Sequence, residues 1–333
     1  MLTAQNMRHG GIMANYRCTA ACRHCMFACS PDWTDGYITR AADGKITGAV
    51  AEKVCRLLRK GGCRSIHIGG GEPFMDFDGL LMLVRTVTDM GIRVEYIETN
   101  AYWTTDFQRA ASKLKELAHA GADTLCISVD PFHAEFVPVE LPLSLAAICQ
   151  DAGFGYFLWQ ERFLPMLLRL DRTKTHSRAE MEKLLSPRYI IETARSYGLH
   201  MGGRAFSIES EFSSKKPADT VMSDKPCYGL ISGGHFHVDM YNRFIPPGCT
   251  GITIPLNEAV NRIPEGKYPV FEALLGGGSA ALFKHAIKLG FKPDSQGYSS
   301  GCNLCFHIRS WLCENSPTPE LDPEYYIEAM KYW

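Results

Sequence analysis

Nine of the thirteen cysteines in this 333-residue sequence fall into two groups whose spacing could do chemistry. The first is Cys18-Thr-Ala-Ala-Cys22-Arg-His-Cys25, with Cys29 close behind. Zinc prefers four ligands, usually supplied as Cys-x2-Cys pairs. Three closely spaced thiolates suit a 4Fe-4S cluster in which one iron lacks a protein ligand and stays open to a small molecule, and Cys29 is the residue that could close it. The second group is Cys227, Cys249, Cys302, Cys305 and Cys313. The other four, Cys55, Cys63, Cys126 and Cys149, lie in apolar contexts where a thiol behaves as a small hydrophobe. His133, in Asp130-Pro-Phe-His, could titrate near neutrality as a catalytic base does.

The elements that must position these residues alternate with a period of about thirty residues. Residues 11–16, 65–71, 94–100, 124–130, 156–162 and 200–206 read as six strands. Between them, Val50, Val54, Leu57 and Leu58 follow helical spacing up to Gly61-Gly62, and Leu80, Leu81, Val84 and Val87 do so up to Gly91. A third helix runs from after Thr105 to Gly121, and Ser177 with Glu180 forms a capping box. Strand-then-helix units imply a parallel sheet, here a partial (β/α)6 barrel, too short to close as eight strands would. Chemistry in such barrels sits at the C-terminal strand ends. Those ends carry Gly70-Gly71-Glu72, Glu98 and Asn100, Ser128 and Asp130, and Gly203-Arg204. The rhythm stops near residue 215, which divides the chain into a barrel, 1–215, and a smaller α+β region, 216–333.

Composition sets the outer limits. Lys and Arg number 35 against 36 Asp and Glu, a net charge of −1 that gives nucleic acid no electrostatic footprint. Apolar runs are too short to span a bilayer, so no membrane role is expected. An odd cysteine count and an N-terminus without a basic region leading into an apolar run make disulfides the weaker reading and the cytoplasm the default location.

The CxxxCxΦC spacing, with His24 at the Φ place, together with Gly70-Gly71-Glu72-Pro73 after the second strand, resembles the radical SAM superfamily. That resemblance implies a 4Fe-4S cluster on Cys18, Cys22 and Cys25, and S-adenosylmethionine as cosubstrate. It implies that Gly70, Gly71 and Glu72 hold the methionine end, with His24, Asn100, Ser128, Asp130 and Arg204 as further contacts. It also implies reductive cleavage of the sulfonium and hydrogen abstraction from a substrate, with a flavodoxin- or ferredoxin-like reductant.

The C-terminal cysteines resemble a twitch, or shortened SPASM, extension. There Cys227 before a hairpin, Cys249 after it, and the pair Cys302 and Cys305 would ligate an auxiliary 4Fe-4S cluster, leaving Cys313 as a candidate hydrogen donor. Structural zinc at the same four thiolates is the alternative, and with it a zinc-stabilised interaction module rather than an enzyme. The segment Ile127-Ser-Val-Asp-Pro-Phe-His-Ala-Glu-Phe-Val137 and the late Cys-x2-Cys are loosely similar to epipeptide-type peptide epimerases. Those resemble a Cys-Cys pair after the hairpin, where this chain has Pro247-Gly248-Cys249. The expected substrate is a peptide or amino-acid-like compound, with dehydrogenation of a small alcohol or aminocyclitol as the alternative reaction. Seventeen residues before Cys18 are too few for a leader-gripping winged helix, which leaves either a separate leader-binding protein or a small-molecule substrate.

Overall fold

A computed structural model describes residues 3–34 and 36–332. Its sheet has the order β5-β4-β3-β2-β1-β6-β7-β8. The strands are β1 (Gln5–Met13), β2 (Ser65–Gly69), β3 (Arg93–Thr99), β4 (Thr124–Ser128), β5 (Gly155–Trp159), β6 (Ser232–Val238), β7 (Arg243–Ile245) and β8 (Ile254–Pro255). Pairings from β5 through β1 to β6 are parallel, while β6–β7 and β7–β8 are antiparallel. The sheet is an open, partial barrel with helices packed on its outer face.

Two-residue periodicity sorts the faces. Ile66, Ile68, Ile97, Leu125 and Ile127 are buried against the helices. The opposite face, the lumen, carries His67, Tyr96, Glu98, Cys126 and Phe157. The helix Ala49–Lys60 buries Ala51, Val54, Cys55 and Leu58 at three- and four-residue spacing. The helix Phe77–Asp89 starts where the Asp76 side chain accepts from Gly79 N–H. The helix Phe107–Ala120 ends on Gly121 at φ 105°, a conformation that glycine adopts without a Cβ penalty. The capping box at Ser177 and Glu180 is present. Cys55, Cys63, Cys126 and Cys149 are buried, as small hydrophobes are.

The sixth parallel strand is not the one the sequence predicts. Residues 200–206 run as a loop into the helix Ala205–Phe212. The cause is packing: a Cβ on Gly203 would stand 2.6 Å from the Cys25 carbonyl oxygen, so this segment lies against the cysteine loop and cannot pair in a sheet. Its place is taken by β6, whose Gly10↔Phe236 and Gly11↔His237 pairs put it beside β1. The predicted hairpin after Cys227 is β6–β7, and it extends the same sheet past residue 215. Among the described residues no helix is long and apolar enough to cross a membrane.

Candidate metal centre

The chain leaves β1 and immediately forms the cysteine loop, which is docked on the end of β2 by backbone hydrogen bonds. Gly71 N–H donates to Asn15 O at 2.8 Å and Glu72 N–H to Arg17 O at 2.9 Å. A Cβ on Gly71 would fall 1.9 Å from Arg17 O, and one on Gly70 would fall 2.7 Å from Asn15 O. The glycine run is therefore required first by close approach of the protein's own backbone.

Within the loop the thiols converge. Cys18, Cys22 and Cys29 are buried. Burial raises the Cys18 thiol well above its usual range, and its neighbours Cys22, Glu72 and Cys25 raise it further. Cys25 is pulled down to about 5, chiefly by a hydrogen bond from the Cys29 thiol and, against the opposing effect of burial, by the Arg204 cation. Cys29 thus lies among the other thiols. Asn100 Nδ2 reaches Cys18 Sγ at 3.7 Å and donates to Thr19 Oγ1 at 3.1 Å, which fixes the first thiol from the end of β3.

Arg204 lies fully buried under this loop. Its Nε donates to Cys22 O at 2.9 Å and its Nη2 to Cys29 O at 2.5 Å. Its Nη1 is buried without a hydrogen-bond partner. An unsatisfied buried cation beside a set of thiols is costly unless negative charge arrives. A thiolate-ligated iron–sulfur cluster supplies that charge, so the residues present fit the group.

Glu72 is buried, and its carboxylate accepts from Phe74 N–H at 3.1 Å, Thr99 Oγ1 at 3.0 Å and Asn100 N–H at 2.8 Å. Burial raises it to about 7 although these donors oppose the shift. Asp130 caps the short helix Pro131–Ala134 through Phe132 and His133 N–H, and its Oδ2 lies 2.7 Å from His133 Nδ1. Burial alone would raise the Asp130 carboxyl, but His133 overrides it and holds it well below the usual carboxylate range. His133 in turn is raised well above its ordinary value: burial opposes this, while Asp130 and then Cys22 drive it. Both neighbours favour the charged form of the ring. His24 stacks on Phe132 with centroids 4.7 Å apart and meets Tyr197 Oη at 3.1 Å. Burial lowers it to about 4, and its Nδ1 has no partner. Asn100, Ser128, Asp130 and His133 together line a small cleft beside the loop. Sequence reasoning missed Tyr197, which reaches both His24 and Asp130, because no spacing rule ties a helix-end tyrosine to a loop far upstream.

The second group also comes together. Cys227 and Cys302 are raised by burial and then by Cys249, and Cys305 by burial against the opposing Arg309 and then by Cys249, Cys302 and Cys227. Cys302 and Cys305 sit one turn apart at the start of the helix Gly301–Asn315, capped by Ser300. Cys249 lies in the turn after β7, its N–H bonded to Pro246 O at 3.2 Å. Arg309 Nη1 reaches Cys249 Sγ at 3.9 Å and donates to Thr250 O at 2.9 Å. The structure does not bring Cys313 into this group: its charged neighbours are Arg309, Asp322 and Glu314.

Residues 13–146 match the family model of the radical SAM superfamily. That stretch holds the thiol triad, Gly70-Gly71-Glu72, Asn100, Ser128, Asp130 and His133. The chain carries a radical SAM domain, and the protein is an enzyme of the class that reductively cleaves S-adenosylmethionine with a 4Fe-4S cluster. No curated protein matches the sequence significantly. Among solved structures, it is similar to Streptococcus suis SuiB bound to S-adenosylmethionine, with 14% identity, 90% of this chain and 75% of that chain covered, and a TM-score of 0.45. It is also similar to methylornithine synthase (PylB), with 15% identity, 46% and 44% covered, and a TM-score of 0.33. Likenesses this distant transfer no substrate.

Proposed function

We propose that this enzyme abstracts hydrogen from a peptide or amino-acid-like substrate held in the lumen of the open sheet. The observation that carries the peptide reading is β5. Among the described residues it is the sheet edge, paired with β4 alone, and it exposes Tyr156, Phe157 and Trp159. A free strand edge with Phe157 and Trp159 on the luminal face and Tyr156 on the other offers main-chain hydrogen bonds and aromatic side-chain contacts to an extended peptide.

Cys18, Cys22 and Cys25 would hold the first cluster, and Cys227, Cys249, Cys302 and Cys305 an auxiliary one in a unit spanning 216–333. When bound, the first cluster and S-adenosylmethionine supply reductive sulfonium cleavage and the hydrogen-abstracting equivalent. The chain's own residues position and shield. Arg204 and Asn100 hold the cysteine loop, Glu72 offers a buried carboxylate towards the methionine end, and His24 with Phe132 and Tyr197 forms an aromatic wall. Ser128 and Asp130 line the cleft beside them. A wall of this kind excludes water and stray hydrogen donors. All thirteen cysteines are free, which supports a reducing compartment such as the cytoplasm and a flavodoxin- or ferredoxin-like reductant. A leader-binding protein would deliver a peptide to the β5 edge.

The test is direct. Anaerobically reconstituted protein with a strong reductant forms 5′-deoxyadenosine and methionine, and Cys22→Ala does not. With a deuterated peptide substrate, label appears in 5′-deoxyadenosine. Label transfer from small alcohols alone, with product two hydrogens lighter, would replace the peptide reading with dehydrogenation.

A further inference from the structure

The lumen contains a further cluster of ligand-type side chains, one that includes no thiol. His67 on β2 and His237 on β6 are both in register with Gly11 on the strand between them. Two strands flanking a third stand about 9.5 Å apart, so their side chains ordinarily do not touch. Here the rings meet over β1 because Gly11 has no side chain. A Cβ there would lie 2.4 Å from His67 Nε2 and 2.5 Å from His237 Cδ2. The two Nε2 atoms are 3.1 Å apart. Tetrahedral ligation by imidazoles at about 2.0–2.1 Å separates two ligand nitrogens by roughly 3.3 Å.

The third ring is His235. It is the extra residue in β6 at the register shift where His9 pairs with Gly234 but Gly10 with Phe236. Its φ is 64°. A non-glycine residue in the left-handed region at a β-bulge is the kind of local strain that persists where a side chain must be re-aimed. One nitrogen from each of the three rings lies within 4.8 Å of the others. Glu98 Oε1 is 3.8 Å from His67 Nε2 on the neighbouring strand side. The rings are packed about by Tyr96 and Phe27.

We propose that His67, His235 and His237 form a site for one divalent transition metal of the zinc type, bound through three imidazoles with the fourth position open to water or a substrate donor. Three imidazoles with an open position are a donor set that zinc uses in catalytic sites. Zinc binds imidazole in its neutral form, and His67 and His237 are buried. An anion would gain nothing from uncharged imidazoles, whereas a cation meets converging lone pairs. The placement in the lumen would let the ion orient a carboxylate or carbonyl of the substrate. The metal site itself does not depend on which substrate that is.

The experiment uses the full chain with its clusters reconstituted, incubated with one equivalent of Zn2+ and dialysed. Expected are about one retained zinc per chain and a zinc-edge X-ray absorption spectrum with a nitrogen shell near 2.0–2.1 Å and imidazole scattering. His235→Ala removes an exposed ring and should leave iron content and fold unchanged. It should weaken zinc binding by more than the roughly 10–100-fold that loss of an outer partner costs. No retained zinc in the wild type would reduce the cluster to an N–H···N contact and overturn the site. A sulfur shell near 2.3 Å would place the zinc on thiolates, and undiminished zinc in His235→Ala would do the same damage.

Discussion

Arg204 donates from Nε to the carbonyl oxygen of Cys22 at 2.9 Å, so the middle cysteine of the first triad is held from beneath by a residue 182 positions later. The same guanidinium also holds Cys29 O, which makes the pair of bonds a fork that only a planar, multi-donor cation can supply. Arg204→Lys keeps the charge but loses the fork. Iron at the first site should fall several-fold while the C-terminal cysteines keep about four irons. Iron and sulfide analysis, with the Cys18, Cys22 and Cys25 triple alanine variant as baseline, reads this. Full iron in Arg204→Lys would show that the loop folds without the fork.

Glu72 gives a pH signature. Its folded-state carboxyl titrates at about 7 against an ordinary 4.5, raised by burial. Between those values the folded chain binds a proton that the unfolded chain has released, so stability is full below the lower value and falls as pH rises through the upper. At about 1.36 kcal/mol per unit, and with the slope flattening as the upper value is approached, the loss from pH 5.5 to 7 is about 1.6 kcal/mol. Glu72→Gln has no such titration, so its stability deficit relative to wild type should shrink by that amount over the same range. Urea melts at several pH values measure it, and a gap that stays constant refutes the raised carboxyl.

Much of this was legible in advance because it is local. Cys-x3-Cys-x2-Cys, the glycine run and the helix caps are short-range patterns, and β2 to β5 follow from apolar alternation bounded by turns, whereas the first strand, expected over 11–16, is Gln5–Met13. The sixth strand was not legible. Residues 200–206 read as a strand and the stretch after Cys227 as a hairpin, and what puts the hairpin's first strand in the barrel instead is tertiary. Gly203 and Arg204 are committed to the cysteine loop, whereas Gly234 to Val238 can pair with β1. The histidine cluster was hidden for the same reason, since His67 and His237 are brought together only by their common register with Gly11.

Gly71 tests whether the glycine run serves the backbone. An added Cβ would lie 1.9 Å from Arg17 O and 2.4 Å from Arg17 C, with no flexible side chain to move aside. Gly71→Ala should therefore displace the start of the cysteine loop, costing about 3 kcal/mol or more, in the range of severe overpacking, and depleting the first cluster. Gly276→Ala, which meets nothing within 4 Å in the last turn before the break at Gly277 and Gly278 in Pro269–Leu289, should be neutral or stabilise by up to about 1 kcal/mol. Thermal melts of the two variants side by side make the comparison, and similar shifts in both would remove the steric argument.

Cys313 decides how the C-terminal group works. It follows Cys305 by eight residues on the helix Gly301–Asn315, which places it about 12 Å further along the axis at 1.5 Å per residue. Burial raises its thiol to about 12, and it packs, partly buried, against the hydrophobic core. A thiol in that setting is a packing residue first. Cys313→Ala should keep the iron of both sites, lose no more than about 1 kcal/mol, and turn over at the wild-type rate, whereas Cys305→Ala should lose the auxiliary iron. Turnover in heavy water adds the sharper reading. If wild type places one solvent deuterium on the product and Cys313→Ala, with both clusters intact, does not, then the thiol reaches the substrate radical and the packing assignment fails. Equal incorporation in both proteins, or none in either, leaves Cys313 outside the reaction and the four remaining cysteines as a complete ligand set.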